Sequence, residues 1–336
     1  MTVAAPLPDG VFITGALGFI GRTLAERYRS LGAEVRGVDV RADPSAGVSA
    51  GDVSQPGRWQ QDMAGAELVI HTAALVSNTG GLDAAWRLNV LGTRHALDGA
   101  AAAGVRRFVH ISSVRAYSDL GFPDGVDEHH PVRTDGNPYV DTKVASEQVA
   151  LQAHGAGDVP VTILRPGDVY GPGSRPWTIL PVEAIQAGRF LLPAMGRGIF
   201  SPVYVDNLVD GIVSAAASPA AAGQVFTLSD GVPVTCREFF GHYHRMLGRR
   251  GPVCLPTPVA VALANGAASV ARLRGTETEV NATTIRYFAR TGTYSIARAR
   301  RVLGYAPAVD LTEGMRRTEA WLREQRLIER GGASGD

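Results

Sequence analysis

The sequence predicts an α/β fold, a doubly wound parallel sheet with a smaller C-terminal lobe. Three features predict it. Short β-rich apolar runs at 11–14, 35–40, 68–73, 108–112 and 161–164 alternate with helix-like stretches at 18–31, 84–103 and 139–154. That is the order in which crossover helices cover both faces of a parallel sheet. A glycine-rich turn, VFITGALGFIG, joins the first strand to the first helix. After Gly171 the alternation weakens, and Pro172, Pro176, Pro181 and Pro193 punctuate a loop-rich stretch.

Beyond that stretch the pattern reads as a helix at 203–217, a strand at Val225–Leu228 and a helix at 238–247. A last amphipathic helix spans 311–325, with Thr312 as its expected cap. The division that follows is a sheet domain at 1–171 plus about 203–230 and a lobe at 172–202 plus 231–330, with a disordered tail at 331–336.

The turn places Gly15, Gly18 and Gly21 between strand and helix, with Phe19 and Ile20 in the first helical turn. A tight turn needs φ freedom, close approach of a pyrophosphate forbids a Cβ, and a helix N-terminus attracts the anion. The G-x-x-G-x-x-G spacing differs from the G-x-G-x-x-G fingerprint, so context carries the reading. Asp39 ends the next strand, 18 residues after Gly21, about where a carboxylate meets the adenosine ribose. Together these make the first half a dinucleotide-binding Rossmann domain. NAD is the expected cofactor, with NADP open because Arg36 and Arg41 lie close enough in sequence to reach a 2′-phosphate. Asp52, in GDVS, either faces the adenine or caps its own turn.

Lys143 is the only lysine in the chain; every other one of the 33 basic side chains is arginine. Asn137 is suited to cap a helix and Pro138 to its first turn, which puts Tyr139 and Lys143 on one face. An ammonium about 4 Å from the phenol oxygen contributes about 4 kcal/mol at an effective dielectric of about 20. That would lower the tyrosine pKa by up to about three units, into the range of acid–base work near neutral pH.

The sequence resembles the extended short-chain dehydrogenase/reductase family, which includes nucleotide-sugar epimerases and 3β-hydroxysteroid dehydrogenases. The matching stretches are TGALGFIG, VDVR, GDVS, HTAA, NVLGT, HISSVRAYS, PYVDTK, LRPGDVYGPG and VYVDNLVDG. The resemblance implies Tyr139 as proton donor or acceptor, Lys143 as holder of the nicotinamide ribose and Ser113 as partner of the reacting oxygen. It also implies cofactor contacts at Val53, Ala73, Asn89, Pro166 and Val169, beside Arg41 and Asp52. Sugar dehydratases of the family carry an Asp-Glu pair after the catalytic hydroxyl, where Val114 and Arg115 stand here. Epimerases commonly read R-Y-F-N-V-Y-G where this chain reads RPGDVYG, so Asp168 replaces an asparagine that binds the sugar nucleotide's diphosphate. The Arg-Pro-Gly form is closer to the steroid-dehydrogenase branch.

A substrate pocket is expected around Val76, Arg115, Asp168, Trp177, Phe200 and Tyr204. Asp168 should repel a diphosphate, while Arg175, Arg189 and Arg197 are able to neutralise one. The favoured reading is NAD(P)-dependent interconversion of a secondary alcohol and a ketone on a largely apolar small molecule. The alternatives are a nucleotide-sugar epimerase using the same residues and a non-catalytic dinucleotide sensor.

A net charge of +1 gives no electrostatic case for nucleic acid or an acidic membrane surface. Cys236 and Cys254 have no metal or redox spacing, and His129–His130, His242 and His244 lack further ligands. No metal is expected. The run 259–273 is short for a bilayer span and contains Asn265 and Gly266, so it reads as a packed helix. The N-terminus shows no signal peptide, and the expected location is the cytoplasm. Helices at 84–103 and 139–154 are expected to form a homodimer seam.

Overall fold

The computed structural model describes residues 7–77, 80–119, 121–273 and 282–329. Seven strands form one parallel sheet: β1 (Gly10–Thr14), β2 (Glu34–Asp39), β3 (Val48–Ala50), β4 (Leu68–His71), β5 (Arg107–Ile111), β6 (Val161–Pro166) and β7 (Val225–Leu228). Their order is β7-β6-β5-β4-β1-β2-β3. β3 is too short to stand out in the sequence and was not expected. The order reverses between β1 and β4, so a crevice opens there at the carboxyl ends of the strands.

One face of the sheet packs on α1 (Phe19–Ser30), through Leu24, Ala25 and Tyr28. It also meets the apolar stripe of a later helix at Val205–Ala217, through Leu208, Val209 and Ile212. The other face meets α2 (Gly92–Ala102) and α3 (Pro138–Ala156) through Ala96, Leu97, Ala100, Ala150 and Ala153, with Trp59 and Met63 closing the edge. Small side chains on α2 and α3 let both helices approach the sheet closely. Truncating a fully buried leucine such as Leu24 to alanine would cost about 2–5 kcal/mol.

The stretch 84–103 is not one uniform helix. A wide π-helical turn, Trp86–Leu91, precedes α2 and carries Asn89. Such turns are frequent at functional sites. α3 begins as the sequence implies: Asn137 Oδ1 accepts from Tyr139 N at 2.9 Å, and Pro138 occupies the first turn.

The helix at Val205–Ala217 is α4. The remaining chain builds short strand pairs and helices α5 (Cys236–Met246), α6 (Thr257–Leu273), α7 (Ala282–Ala289) and α8 (Leu311–Glu324). Strand Pro202–Tyr204 runs beside Asp168–Tyr170, and Val234–Thr235 beside Ile199–Phe200. An aromatic core of Tyr170, Phe200, Tyr204, Phe239, Phe240 and Tyr243 fills the space between them.

Two further expectations need correction. The cap of α8 is Asp310, whose Oδ1 accepts from Glu313 N at 2.8 Å, and Thr312 lies inside the helix. α6 packs by one side only: Ala260 and Ala264 meet Ile285, while Val259, Leu263, Val270 and Leu273 are exposed. The tail expected at 331–336 lies outside the described residues. No helix among the described residues is long and apolar enough to cross a membrane.

Candidate active site

The residues singled out in the sequence gather at the carboxyl edge of the sheet. Gly15 follows β1 at φ 68°, where a Cβ would lie 2.9 Å from the Ala73 Cα. A Cβ on Gly21 would lie 2.2 Å from the Gly15 carbonyl oxygen. Both glycines are therefore demanded by the turn itself, which lets β1, the loop after β4 and α1 meet at van der Waals distance. Gly18 caps α1, and Phe19 and Ile20 open it. The first amides of any helix have no acceptor within that helix and face outward.

Asp39 closes β2 with both carboxylate oxygens engaged: Oδ2 accepts from Leu17 N at 3.0 Å and Oδ1 from Val40 N at 2.8 Å. It stands beside the glycine turn at half burial, where a ribose would meet it. Arg36 is not positioned as a rival phosphate ligand, because it donates to Ala64 O at 2.6 Å and pairs with Glu34 at 3.3 Å. Arg41 is exposed. Asp52 caps its own turn, accepting from Ser54 N at 2.9 Å. Val53 is a buried core residue whose carbonyl meets His95 Nδ1 at 3.0 Å.

Asn89 is wholly occupied by the protein. Its Oδ1 accepts from Leu75 N at 2.7 Å, and its Nδ2 donates to Leu75 O at 3.2 Å and to Thr142 Oγ1 at 3.0 Å. It shapes the loop after β4 rather than offering a free polar group. Pro166 is buried at the end of β6, and Val169 packs on the core. The glycine cradle, the open first turn of α1 and the Asp39 carboxylate fit a dinucleotide as a set.

Ser113 follows β5, and its hydroxyl accepts from Arg115 N at 3.2 Å. Tyr139 and Lys143 lie one turn apart on α3, and all three are buried. Lys143 Nζ donates to Ile111 O at 2.8 Å and lies 5.9 Å from the centre of the Tyr139 ring. Arg115 joins Lys143 as a second cation beside the Tyr139 ring. Burial raises the Tyr139 pKa, and the first group pulling it back is Arg115, followed by a hydrogen bond with Ser113. Lys143 itself is pulled down to about 8 by burial, with Glu147 opposing.

Arg115 reaches Tyr139 from the turn Val114–Tyr117, its guanidinium carbon 5.2 Å from the ring centre. Asp119 holds it from the other side, accepting from Nε at 2.9 and 3.2 Å and also from Nη2. The same guanidinium lies 5.0 Å from the Tyr287 ring of α7.

Asp168 also differs from expectation. It is buried, accepts from Arg290 Nη2 at 3.1 Å and from Ser201 N at 3.0 Å, and receives the Tyr287 hydroxyl. Burial raises its pKa, with Arg290 and Tyr287 pulling it back. Whether paired or protonated, it presents no net negative charge, so the expected repulsion of a diphosphate has no physical basis.

The pocket expected from aromatic residues shrinks. Phe200 and Tyr204 are core residues, 0% and 2% exposed. Their rings pack on Phe239 and Tyr170 at 4.2 and 5.4 Å. Trp177 is only partly buried and stacks on Tyr287 at 5.4 Å, so it stays beside the site. Val76 is 61% exposed on the loop after β4. Arg175, Arg189 and Arg197 are exposed.

Asp119, Tyr287 and Arg290 were missed in the sequence, and no local spacing reveals them. Tyr287 and Asp168 are 119 residues apart. Also missed was a buried network behind the site, in which Glu147 accepts from Ser112 at 2.5 Å and from Arg165 at 2.9 and 2.7 Å. No group of three or more His, Cys, Asp or Glu side chains among the described residues is arranged to hold a metal ion.

Comparison with known proteins agrees with this geometry. The family model described as "NAD dependent epimerase/dehydratase family" matches residues 11–228. The 4-hydroxy-2-methyl-3-oxo-4-farnesyl-3,4-dihydroquinoline-1-oxide ketoreductase of Stigmatella aurantiaca is 30% identical over 315 residues, covering 90% of this chain and 94% of that protein. The 3-beta-hydroxysteroid dehydrogenase of Mycolicibacterium neoaurum is 28% identical over 327 residues, covering 91% and 89%. Among solved structures, MoeE5 in complex with UDP-glucose and NAD matches with a TM-score of 0.75 at 26% identity, covering 94% of this chain and 99% of that one. Further solved neighbours are chiefly sugar-nucleotide epimerases and dehydratases under 25% identical, which speak for the fold alone. The matches therefore do not single out the steroid-dehydrogenase branch. The chain belongs to the NAD dependent epimerase/dehydratase family, within the extended short-chain dehydrogenases/reductases.

Proposed function

We propose that this protein interconverts a secondary alcohol and a ketone on a neutral small molecule, with NAD as its cofactor. The observation that carries the reading is the buried meeting of Ser113, Tyr139 and Lys143 at the carboxyl edge of the sheet, beside the glycine cradle. Bound NAD supplies a hydride acceptor for oxidation and a donor for reduction. The Tyr139 phenol gives the substrate oxygen its proton in reduction and removes it in oxidation. Ser113 orients that oxygen by a second hydrogen bond. Lys143, fixed by Ile111 O, holds the nicotinamide ribose. The packed aromatic and apolar surroundings keep water from the reacting centre.

Two findings favour a neutral ketone or alcohol. Both buried arginines of the site are already paired, Arg115 with Asp119 and Arg290 with Asp168, so neither charge is left for a phosphate. The 30% identical relative is a ketoreductase. The second reading is a nucleotide-sugar epimerase, in which the same oxidation is followed by return of the hydride. It is favoured by the likeness to MoeE5, solved with UDP-glucose, and by the neutralised state of Asp168.

A cofactor absorbance assay separates the two, run with a panel of cyclic and long-chain ketones beside UDP-glucose and UDP-glucuronic acid. Net NADH consumption with a ketone supports the first reading. Isomerisation of a UDP-sugar without net NADH change replaces it with the second. Residues 172–202 and 231–329 are proposed as the substrate-binding lobe. A homodimer through 84–103 and 139–154 is proposed because Trp86 and Leu91 are exposed beside that seam.

A further inference from the structure

Helix α6 is apolar on two sides. Ala260 and Ala264 face inward onto Ile285 of α7. Val259, Leu263, Gly266, Val270 and Leu273, spaced four, three, four and three residues apart, form a second stripe that is exposed. Leu263 keeps 52% of its surface open to water and Leu273 88%. A helix that only closes a lobe turns charged and polar residues to this side, yet Arg272 is the one charged residue between Thr257 and Leu273. Two more exposed apolar side chains lie just before α6. Val253 sits on a short strand paired with Leu191–Leu192, and Met195 N donates to Leu255 O at 3.0 Å. Ala194 and Met195 hold φ of 50° and 55°, a left-handed conformation uncommon for residues with a side chain.

The charge around this helix is one-sided. From Phe239 to Thr276 the sequence holds Arg245, Arg249, Arg250, Arg272 and Arg274 and no Asp or Glu, so the net charge of +1 hides a local excess. Arg245, Arg249 and Arg250 are exposed and form no ion pair among the described residues.

We propose that this face of the lobe docks on an anionic lipid surface, with α6 lying in the plane of the interface. The apolar stripe enters the boundary between headgroups and acyl chains, and the arginines meet the lipid phosphates. A second copy of the chain fits the face less well. The stripe is about 25 Å long and about 10 Å wide, so two copies would bury a few hundred Å² each, against about 800 Å² per partner in a stable interface. A protein partner also gives no reason for the missing carboxylates, whereas a phosphate surface does. The docked face lies one helix away from the catalytic centre. Ile285 and Tyr287 stand about 200° apart round α7, so the first meets α6 while the second donates to Asp168. That placement suits an apolar substrate drawn from the bilayer. This last link rests on the proposed neutral substrate, and the docking does not.

The test uses the full chain with NAD present, sedimented with vesicles of phosphatidylcholine alone or mixed in equal parts with phosphatidylglycerol. Binding is expected on the anionic vesicles at low salt and should weaken as salt rises. Leu263→Ser/Val270→Ser alters side chains that water already touches and should lower the partition coefficient about tenfold or more. Arg249→Gln/Arg250→Gln, off the helix, should lower it about tenfold or more on anionic vesicles only. Calorimetry with NAD shows whether each variant keeps the folded cradle.

No binding of the wild type to anionic vesicles at low salt would overturn the proposal. So would binding that either double variant retains in full. Self-association in sedimentation velocity that Leu263→Ser/Val270→Ser abolishes, without vesicle binding, would give the face to a second copy instead. Turnover enters none of these measurements, so a failed alcohol and ketone assay would leave the docking result standing.

Discussion

The Asp39 carboxylate and the backbone amide of Leu17, 22 residues earlier in the chain, are joined by a 3.0 Å hydrogen bond. This bond ties the end of β2 to the glycine turn and fixes a negative charge where the adenosine ribose would lie. A 2′-phosphate there would meet Asp39, and Arg36 is held away by Ala64 O. NAD should bind at least about tenfold more tightly than NADP, or about 1.4 kcal/mol. In Asp39→Ser the preference should fall to near parity. Calorimetric titration of both cofactors checks this, and tighter NADP binding by the wild type would refute it.

Tyr139→Phe should abolish turnover without loss of the fold, since the ring remains and only the hydroxyl goes. Ser113→Ala should lower kcat by roughly 10²- to 10³-fold, the usual effect of losing one donor at a developing oxyanion. Lys143→Arg should not restore activity, because a planar fork replaces a compact ammonium in a buried site whose acceptor is a single carbonyl. Steady-state kinetics and circular dichroism on each variant supply the check.

Glu147 and Arg165 form a buried bidentate pair behind the site, with Ser112 sharing the carboxylate. Removing one partner leaves the other charge buried, so Glu147→Ala should destabilise the protein by about 3–5 kcal/mol. Glu147→Leu combined with Arg165→Met should recover much of that loss. Urea denaturation of the two variants would contradict this account if the double variant were the less stable.

His71 is buried between Thr14 Oγ1 at 2.7 Å and Thr93 Oγ1 at 3.1 Å, and burial, helped by Lys143, lowers its pKa to about 3. The unfolded chain takes up a proton there near pH 6.5, while the folded chain resists until about pH 3. Its contribution is therefore complete above pH 6.5 and is lost as the pH falls towards 3. Between pH 7 and pH 5 the loss from this residue should be about 2 kcal/mol. His110, pushed down by burial and by Lys143 and His71, should add to it. Denaturant titrations at the two pH values should show a smaller acid loss in His71→Gln, and an unchanged loss would assign the effect elsewhere.

Trp86 and Leu91 are exposed beside the proposed dimer seam. Trp86→Lys should convert a homodimer to monomer in sedimentation equilibrium. A wild-type protein that sediments as a monomer at all concentrations would dispose of the seam.

The strand, glycine turn and first helix were legible in residues 10–30 because each rests on local rules. Alternation and glycine spacing act over a few residues, and the Cβ clashes at Gly15 and Gly21 arise inside that same unit. The shared face of Tyr139 and Lys143 was legible for the same reason, since four residues make about one helical turn. The direction of the Lys143 ammonium was not legible. A long flexible side chain takes whichever acceptor the fold provides, and Ile111 O comes from a strand 32 residues away.

What the sequence by itself determined was the chemistry available: a dinucleotide cradle and a serine, tyrosine and lysine able to serve one oxygen. Only the tertiary structure decided which charges act on that chemistry. Asp168 was read as a bare anion until Arg290, 122 residues later, was brought beside it, and Arg115 became the partner of Tyr139 only when the turn after β5 folded against α3. Phe200 and Tyr204 passed from candidate pocket to core in the same way. Periodicity is a property of neighbours along the chain, whereas desolvation and ion pairing depend on every group that folding brings within a few ångströms.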